Sequence, residues 1–256
     1  MTERFSESRN YLNMHKRLET AMSDYRMINE GDHLLVGMSG GKDSSVMLKL
    51  LTRKKVEIKA GFKISACFVR QGFVNDESIE CYLRDFCSKL GVPFYVIDSD
   101  VQKLLKEKGR SKPCYTCSRN RRMELLKFAG SIKANVIAFG HHRDDLIETL
   151  MMNIIFSNNI GTIPPNSDFF NGEFRIIRPM VYIHEHQIKK EVADSGIKSF
   201  LSGCPYEGNT ERDYVKKLLK SIYSHRKGAK KSIFRSMFNY DPEYLLKPPS
   251  KESMTK

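Results

Sequence analysis

The sequence predicts an α/β protein with an open parallel sheet, helices on both faces of the sheet and a helical C-terminal extension. Two observations support this prediction. Short apolar runs alternate with helical patterns, and the first run leads straight into a glycine-rich turn that opens a helix. Strands connected through helices pair in parallel, and a parallel sheet needs cover on both faces. The predicted strands are residues 33–38, 63–69, 93–98, 135–139 and 174–177.

Apolar side chains spaced three and four residues apart predict the helices. By this criterion the N-terminal residues form one polar helix, whose apolar stripe runs from Tyr11 to Tyr25. Residues 158–172 contain two consecutive prolines and are predicted to form a loop. The other predicted helices are residues 44–53, 76–90, 121–130, 143–156, 185–195, 210–225 and 231–238.

The chain is strongly basic, with 43 lysines and arginines against 30 acids and a net charge of +13. This excess favours a polyanionic partner. Nucleic acid fits better than a membrane surface, because the sequence shows no amphipathic anchor and no run of the ~18 apolar residues that a membrane span needs. The basic runs that could contact a nucleic-acid backbone are residues 119–122, 216–220 and 226–231.

The N-terminus is polar and does not read as a signal peptide, which favours a cytoplasmic protein. In that reducing compartment the six cysteines are expected to be thiols or metal ligands rather than disulfides. Cys67, Cys81 and Cys87 fall within strand or helix patterns, and we expect no chemical role for them.

A glycine-rich loop follows the first predicted strand and begins a helix, a placement that suits phosphate binding. It is not a Walker A loop, because Val36 stands where that motif has its first glycine and Asp43 follows the lysine. It resembles instead the PP-loop of enzymes that cleave ATP between the α and β phosphates and adenylate a substrate oxygen. In that setting Asp43 is expected to help hold Mg²⁺. The predicted ATP-binding residues are Ser39, Gly40, Gly41, Lys42, Asp43 and Ser44, with Gly140 beside the nucleotide.

Three cysteines fall in segments predicted to be loops. Cys114 and Cys117 form a C-x-x-C pair, and Cys204 lies between a glycine and a proline. A redox pair, half of a zinc site and half of a cluster site all fit a C-x-x-C pair. With Cys204 added, one site with three thiol ligands is predicted.

A polar block after the fourth predicted strand contains two histidines and several acids. Asp145 and Glu148 share one helix face, and Asp145 is predicted to contact Mg²⁺ or substrate; the alternative is an acid that only stabilises the helix N-terminus. His141 and His142 are expected to support neighbouring groups by hydrogen bonding rather than to bind zinc. No functional role is predicted for His184 or His186.

The combination of PP-loop, C-x-x-C pair and distal cysteine resembles the tRNA 2-thiocytidine biosynthesis family, often called TtcA. The likeness runs from about residue 10 to residue 247. Further matching segments are the GHHRDD-x-x-ET block at 140–149, the proline pair at 164–165, the IRP element at 177–179 and the lead-in at 27–32. The chain departs from the family at Leu201, where many members carry a fourth cysteine, and at residues 68–70, where many carry Asn-Leu-Asp.

The resemblance implies a PP-loop variant of the Rossmann-like fold and a specific chemistry. A 4Fe–4S cluster would be held by Cys114, Cys117 and Cys204, and its iron without a protein ligand would bind the sulfur to be delivered. ATP would adenylate the C2 oxygen of a cytidine in a tRNA anticodon loop, sulfur would replace that oxygen, and AMP would leave. The expected catalytic residues are these cysteines with Asp43 and Asp145.

On this reading the chain divides into four parts. Residues 1–30 form a helical segment, residues 31–200 an ATP-binding domain that carries the C-x-x-C insertion, residues 201–247 a helical extension with the third cysteine, and residues 248–256 a disordered tail. The implied partners are tRNA and a sulfur donor, either a cysteine desulfurase system or sulfide, and homodimerisation is left open.

Three alternatives remain open at this point. Another PP-loop enzyme could thiolate a different tRNA base or attach lysine to a tRNA cytidine. A PP-loop enzyme could instead insert sulfur into a small-molecule cofactor, which would not need a basic surface. A non-catalytic RNA-binding protein stabilised by zinc would account for the cysteines but not for the glycine-rich loop.

Overall fold

The computed structural model of the chain describes residues 8–57, 61–72, 76–99, 101–107, 113–200, 204 and 210–246. Its sheet has six strands in the order β3-β2-β1-β4-β6-β5. All neighbouring strands are parallel except β5, which runs antiparallel to β6 at the edge. The strands are β1 (His33–Met38), β2 (Lys63–Arg70), β3 (Phe94–Asp98), β4 (Val136–Ala138), β5 (Asn166–Phe169) and β6 (Phe174–Ile177).

Nine α-helices and one turn of 3-10 helix (Pro242–Tyr244) accompany these strands in the described part of the chain. None of the described helices is long and apolar enough to cross a lipid bilayer. The helices are α1 (Arg9–Asp24), α2 (Lys42–Glu57), α3 (Asp76–Lys89), α4 (Val101–Glu107), α5 (Pro113–Ser131), α6 (Arg143–Phe156), α7 (Glu185–Ser195), α8 (Glu211–His225) and α9 (Ala229–Ser236).

Alternating strand side chains divide the core into two layers. In β1, Leu34 and Val36 face the larger cluster, whereas Leu35 between them faces the smaller one. This is the two-residue period of a strand buried on both faces. Helix α5 closes the smaller cluster through Leu125, while α1, α2, α3 and the helices after β4 cover the other face. The predicted open sheet with helices on both faces is confirmed.

Two local predictions were wrong. Residues 166–169 were predicted to be part of a loop but form β5, because a polar edge strand needs no apolar alternation when its backbone pairs with β6. Cys114 and Cys117 were predicted to be loop thiols, but α5 begins at Pro113 and includes both. Proline suits the first helical position, and the half-exposed first turns of α5 lack an apolar stripe, so periodicity did not reveal them.

Several other helices form where the sequence predicts them, although their ends differ from the predicted ones. Side chains of Ser8 and Thr210 cap α1 and α8 by accepting a backbone hydrogen bond from the first turn. Helix α4 was not predicted. The division of the chain into four parts stays a prediction, and its tail, 248–256, lies outside the described residues.

Candidate active site

The glycine-rich turn joins the carboxyl end of β1 to the first turn of α2. Gly40 adopts a φ of +74°, and a Cβ there would lie 2.6 Å from Cγ2 of Ile79, so glycine is required. The hydroxyl of Ser44 accepts from the backbone N–H of Ser39 at 3.2 Å and donates to the carbonyl of Gly41 at 3.1 Å. The turn is therefore fixed in shape at the positively polarised N-terminus of α2, where a phosphate can bind.

Lys42 and Asp43 form an ion-paired unit at the start of α2. Nζ of Lys42 lies 3.1 Å from Oδ2 of Asp43 and 3.4 Å from Oε1 of Glu185. Burial opposes the charge of Lys42, but the two carboxylates hold the pKa of its amine above the ordinary value. Oδ1 of Asp43 is buried without a hydrogen-bond partner. Such an oxygen is a suitable donor for Mg²⁺, so Asp43 fits its predicted role.

The segment after β4 packs directly against this loop. A Cβ at Gly140 would lie 3.0 Å from the backbone carbon of Asp43 and from the backbone nitrogen of Ser44. Two residues later, Nε2 of His142 lies 3.7 Å from Oδ1 of Asp43. Because β1 and β4 are adjacent and parallel, their carboxyl ends bring these groups to one edge, the edge at which open α/β sheets bind ligands.

His141 and His142 have different surroundings. Burial lowers the pKa of His141 to about 4, and its Nδ1 is buried without a hydrogen-bond partner. The backbone N–H of His142 donates to Oδ2 of Asp145 at 2.9 Å, and its ring lies between that carboxylate and Asp43. The ring thus packs beside both acids, at 3.7 Å from Asp43 and 3.4 Å from Asp145, without a side-chain hydrogen bond to either, and the supporting role predicted for it stays a prediction.

Asp145 and Glu148 lie on the first turns of α6, facing α8. Oδ1 of Asp145 is 3.2 Å from Nη1 of Arg212, while its Oδ2 caps the helix. The described contacts of Asp145 are thus a helix cap and an ion pair with Arg212, and its contact with Mg²⁺ or substrate stays a prediction. Glu148 is buried, its Oε2 has no hydrogen-bond partner, and burial raises the pKa of its carboxyl to about 7.

The three predicted ligand cysteines lie close enough to influence one another's charge. Cys114 is exposed and Cys117 is half-buried, and they share a face of α5 because they are three residues apart. Partial burial raises the pKa of Cys114, and the charges of Cys204 and Asp213 raise it further. Burial also raises the pKa of Cys117, against the opposing effect of Arg121 and with a small contribution from Cys204. The charge of Cys204 therefore acts on both thiols of the C-x-x-C pair, and a shared ligand site for the three cysteines stays a prediction.

Three soft thiols form a donor set that fits either an iron–sulfur cluster or zinc. Among the residues that the structure describes, no three His, Cys, Asp or Glu side chains are grouped to hold one metal ion. Of the remaining cysteines, Cys67 and Cys87 are buried, and burial raises the pKa of each thiol to about 12. Cys81 is exposed on α3.

Sequence reasoning missed the residues that connect the cysteines to the loop. Nε2 of Gln71 donates to Sγ of Cys117 at 2.9 Å. Ser199 and Phe200 lie shortly before Cys204 and hydrogen-bond to the loop. The backbone N–H of Lys42 donates to Oγ of Ser199 at 3.2 Å, and the backbone N–H of Phe200 donates to the carbonyl of Gly40 at 3.0 Å. A signal existed for Gln71, because it directly follows β2 at the ligand-binding edge of the sheet. Nothing in the sequence pointed to Ser199 or Phe200.

Fold and loop geometry define a nucleotide-binding protein of the PP-loop class, and the PP-loop domain family matches residues 10–222. The chain is 36% identical over 240 residues to a tRNA-cytidine(32) 2-sulfurtransferase of Shewanella denitrificans, covering 90% of this chain and 71% of the relative. It is 34% identical to the protein of that name from Pseudomonas syringae pv. syringae, covering 88% and 82%. The chain therefore belongs to the tRNA-cytidine(32) 2-sulfurtransferase family.

Two solved structures share the fold. The U34-tRNA thiolase NcsA from Methanococcus maripaludis, solved with its 4Fe–4S cluster, superposes with a TM-score of 0.73 at 20% identity, covering 90% of this chain and 79% of that one. The NH3-dependent NAD synthetase from Campylobacter jejuni superposes with a TM-score of 0.51 at 16% identity, covering 93% and 100%. At these identities the likeness shows the fold alone.

Proposed function

We propose that the chain is an ATP-dependent tRNA sulfurtransferase that converts a cytidine of the anticodon loop, the cytidine 32 of its relatives' name, to 2-thiocytidine. One observation carries the proposal. Cys117 contacts Gln71 at the end of β2, and the phosphate-binding loop leaves the end of the neighbouring parallel strand β1. ATP and the thiols would therefore act at one edge of the sheet, as a reaction that activates and then replaces the same oxygen requires.

The glycine-rich loop would bind the reactants for the first half of the reaction, the adenylation. The C2 oxygen of the cytidine attacks the α-phosphorus of ATP, and pyrophosphate leaves. The N-terminus of α2 and Lys42 would offset the charge of the β and γ phosphates. Asp43 supplies a buried carboxylate oxygen without a hydrogen-bond partner, which would hold the Mg²⁺ that accompanies the nucleotide. His142 keeps that carboxylate in place from the side of β4.

The second half needs sulfur delivered to the same carbon. Sulfur at the oxidation level of sulfide adds to C2, the C2–O bond breaks, and the oxygen leaves as part of AMP. We propose that Cys114, Cys117 and Cys204 hold a 4Fe–4S cluster. When bound by three thiolates, such a cluster supplies an iron without a protein ligand for the sulfur that is transferred. The N–H of Gln71 would stabilise the thiolate form of Cys117.

The test combines metal analysis with product analysis. Protein purified without oxygen is expected to contain about four irons and matching sulfide, and to form 2-thiocytidine and AMP from unmodified tRNA, ATP and sulfide. Cys204→Ser should lose iron and product, whereas Cys81→Ser, an exposed thiol on another helix, should keep both. Stoichiometric zinc without iron would contradict the cluster. AMP formation that tRNA does not stimulate would contradict the tRNA substrate.

A further inference from the structure

A large basic groove lies between α1, α9 and the segments that precede α6 and α7. Its volume is about 940 Å³, and its walls carry five cationic side chains and no aspartate or glutamate. The cations are Arg17, Arg143, Lys230, Lys231 and Arg235. Within the described parts of the chain, Lys230 is the one of these five that contacts a carboxylate, that of Asp144.

Two guanidinium groups in the groove have only neutral partners among the described residues. Arg17 donates to Oδ1 of Asn13 at 2.9 Å and to the carbonyl of Tyr182 at 3.0 Å. Arg143 lies 4.0 Å from the centre of the Phe234 ring, and its Nε is buried without a hydrogen-bond partner. Asp144, which contacts Lys230, also attracts Arg143, but one acid does not balance five cations. Such an excess of positive charge costs free energy, which an anionic ligand would offset.

The surroundings of His184 reflect the same excess of positive charge in the groove. Its ring is 3.1 Å from Nη1 of Arg143 and 5.1 Å, centre to centre, from the ring of His186. Burial, followed by the positive charges of Arg143 and Arg17, lowers the pKa of His184 to about 4. The imidazole is therefore neutral at physiological pH and can bond to Arg143 without adding to the repulsion.

Aromatic rings complete one wall. Phe238 is 54% exposed and packs edge-on against Phe234 with ring centres 5.3 Å apart. An exposed ring beside an excess of cations is the arrangement that binds single-stranded nucleic acid, because bases stack on the ring while cations contact the backbone. A lone phosphate would fill little of the groove and would not use the ring.

The groove also borders the phosphate-binding loop. His184 precedes Glu185, whose carboxylate contacts Lys42, and Arg143 follows His142, which contacts Asp43. Residues that line the groove are thus direct sequence neighbours of residues that contact the loop.

On the basis of the proposed function, we propose that the groove between α1 and α9 binds a segment of the tRNA chain. Phe238 would stack on a base, and the phosphates would be contacted by Arg17, Arg143, Lys231 and Arg235. This assigns the basic run at 226–231 to one side of a defined cleft. The groove would hold the RNA while its target base reaches the loop on the other side of residues 142–144.

The experiment measures binding of an unmodified tRNA transcript between about 50 and 200 mM salt. The groove variant is Lys231→Glu with Arg235→Glu, both exposed residues. The control is Lys89→Glu with Lys127→Glu on α3 and α5, which makes the same change in net charge. The groove variant should bind at least about 10-fold more weakly and lower the salt slope by about two, whereas the control should change affinity by less than about threefold. Circular dichroism should show that both variants are folded.

A second variant tests the stacking contact. Phe238→Ala should weaken binding on the order of 10-fold without changing the salt slope, because stacking involves no counterion release. If the wild-type protein does not bind tRNA, the proposed function fails and this inference with it. If wild type binds tRNA and the groove and control variants bind equally well, the inference alone fails.

Discussion

Nε2 of His142 lies 3.7 Å from Oδ1 of Asp43, and this contact joins the two sequence blocks that define the site. Asp43 stands at the start of α2 and His142 immediately before α6. The same carboxylate contacts Lys42 through its other oxygen. Asp43 is therefore positioned from two sides, while Oδ1 remains buried and without a hydrogen bond. A carboxylate so constrained can bind a cation with little loss of side-chain entropy.

Asp43→Asn should impair ATP cleavage through Mg²⁺. The amide keeps the size of the side chain but removes the charge that the metal needs, so we expect AMP formation to fall on the order of 100-fold and to require more Mg²⁺. The measurement is the initial rate of AMP formation against Mg²⁺ concentration. Asp85→Asn, which affects an exposed pair with Lys89, serves as the control. An unchanged Mg²⁺ dependence in Asp43→Asn would rule out the assigned contact.

Gly140→Ala should push the segment after β4 away from the loop. The added Cβ would lie 3.0 Å from two backbone atoms, which cannot move aside as a flexible side chain can. We expect a loss of about 1 to 3 kcal/mol in unfolding free energy and weaker ATP binding. Gly61→Ala is the matched control, because nothing lies within 4 Å of its added Cβ. Urea unfolding and calorimetric ATP titration measure the two effects, and equal behaviour of both variants would contradict the close packing.

Gln71→Leu should make the thiol of Cys117 less acidic. The amide N–H of Gln71 donates to that sulfur at 2.9 Å and lowers the pKa of Cys117, which burial otherwise raises. Without this donor the thiolate fraction at neutral pH falls, so alkylation of Cys117 in the metal-free protein should slow several-fold. Peptide mapping by mass spectrometry gives the rate, and the exposed thiol of Cys81 in the same sample is the internal reference. Equal slowing at both thiols would point to a global change instead.

The sequence could predict that the two main motifs lie near each other, because each motif is local. Ser39 to Ser44 and the block from Gly140 to Glu148 each follow a strand, and adjacent parallel strands carry both to one edge. The helical location of Cys114 and Cys117 escaped prediction, because the helix turn that carries them is exposed and has no apolar stripe.

Contacts between distant segments were beyond sequence reasoning. The bond between Lys42 and Ser199 and the contact between Asp145 and Arg212 depend on how helices after β6 pack against the sheet. Residues that make such contacts are ordinary polar side chains in sequence, and only tertiary packing gives them partners. The edge strand β5 was missed for a related reason, since its pairing with β6 and not its composition makes it a strand.

Glu148 should make the protein less stable as pH rises from about 4.5 to about 7. Burial raises the pKa of its carboxyl from 4.5 to about 7, although Lys216 and Arg212 act in the opposite direction. In this window the folded protein holds a proton that the unfolded chain has lost. The folded state is therefore favoured at the acid end, and the penalty for ionising the buried carboxyl is complete above about pH 7.

Glu148→Gln should remove this pH dependence. The neutral amide pays no ionisation penalty, so at pH 8 the variant should gain on the order of 2 kcal/mol in unfolding free energy over wild type, and the gain should shrink towards pH 5. Urea unfolding at several pH values measures it, with the exposed Glu173→Gln as the control. A variant less stable than wild type at pH 8 would mean that the contacts with Arg212 at 3.8 Å and Lys216 at 4.0 Å outweigh burial, and that Glu148 is ionised in the folded protein.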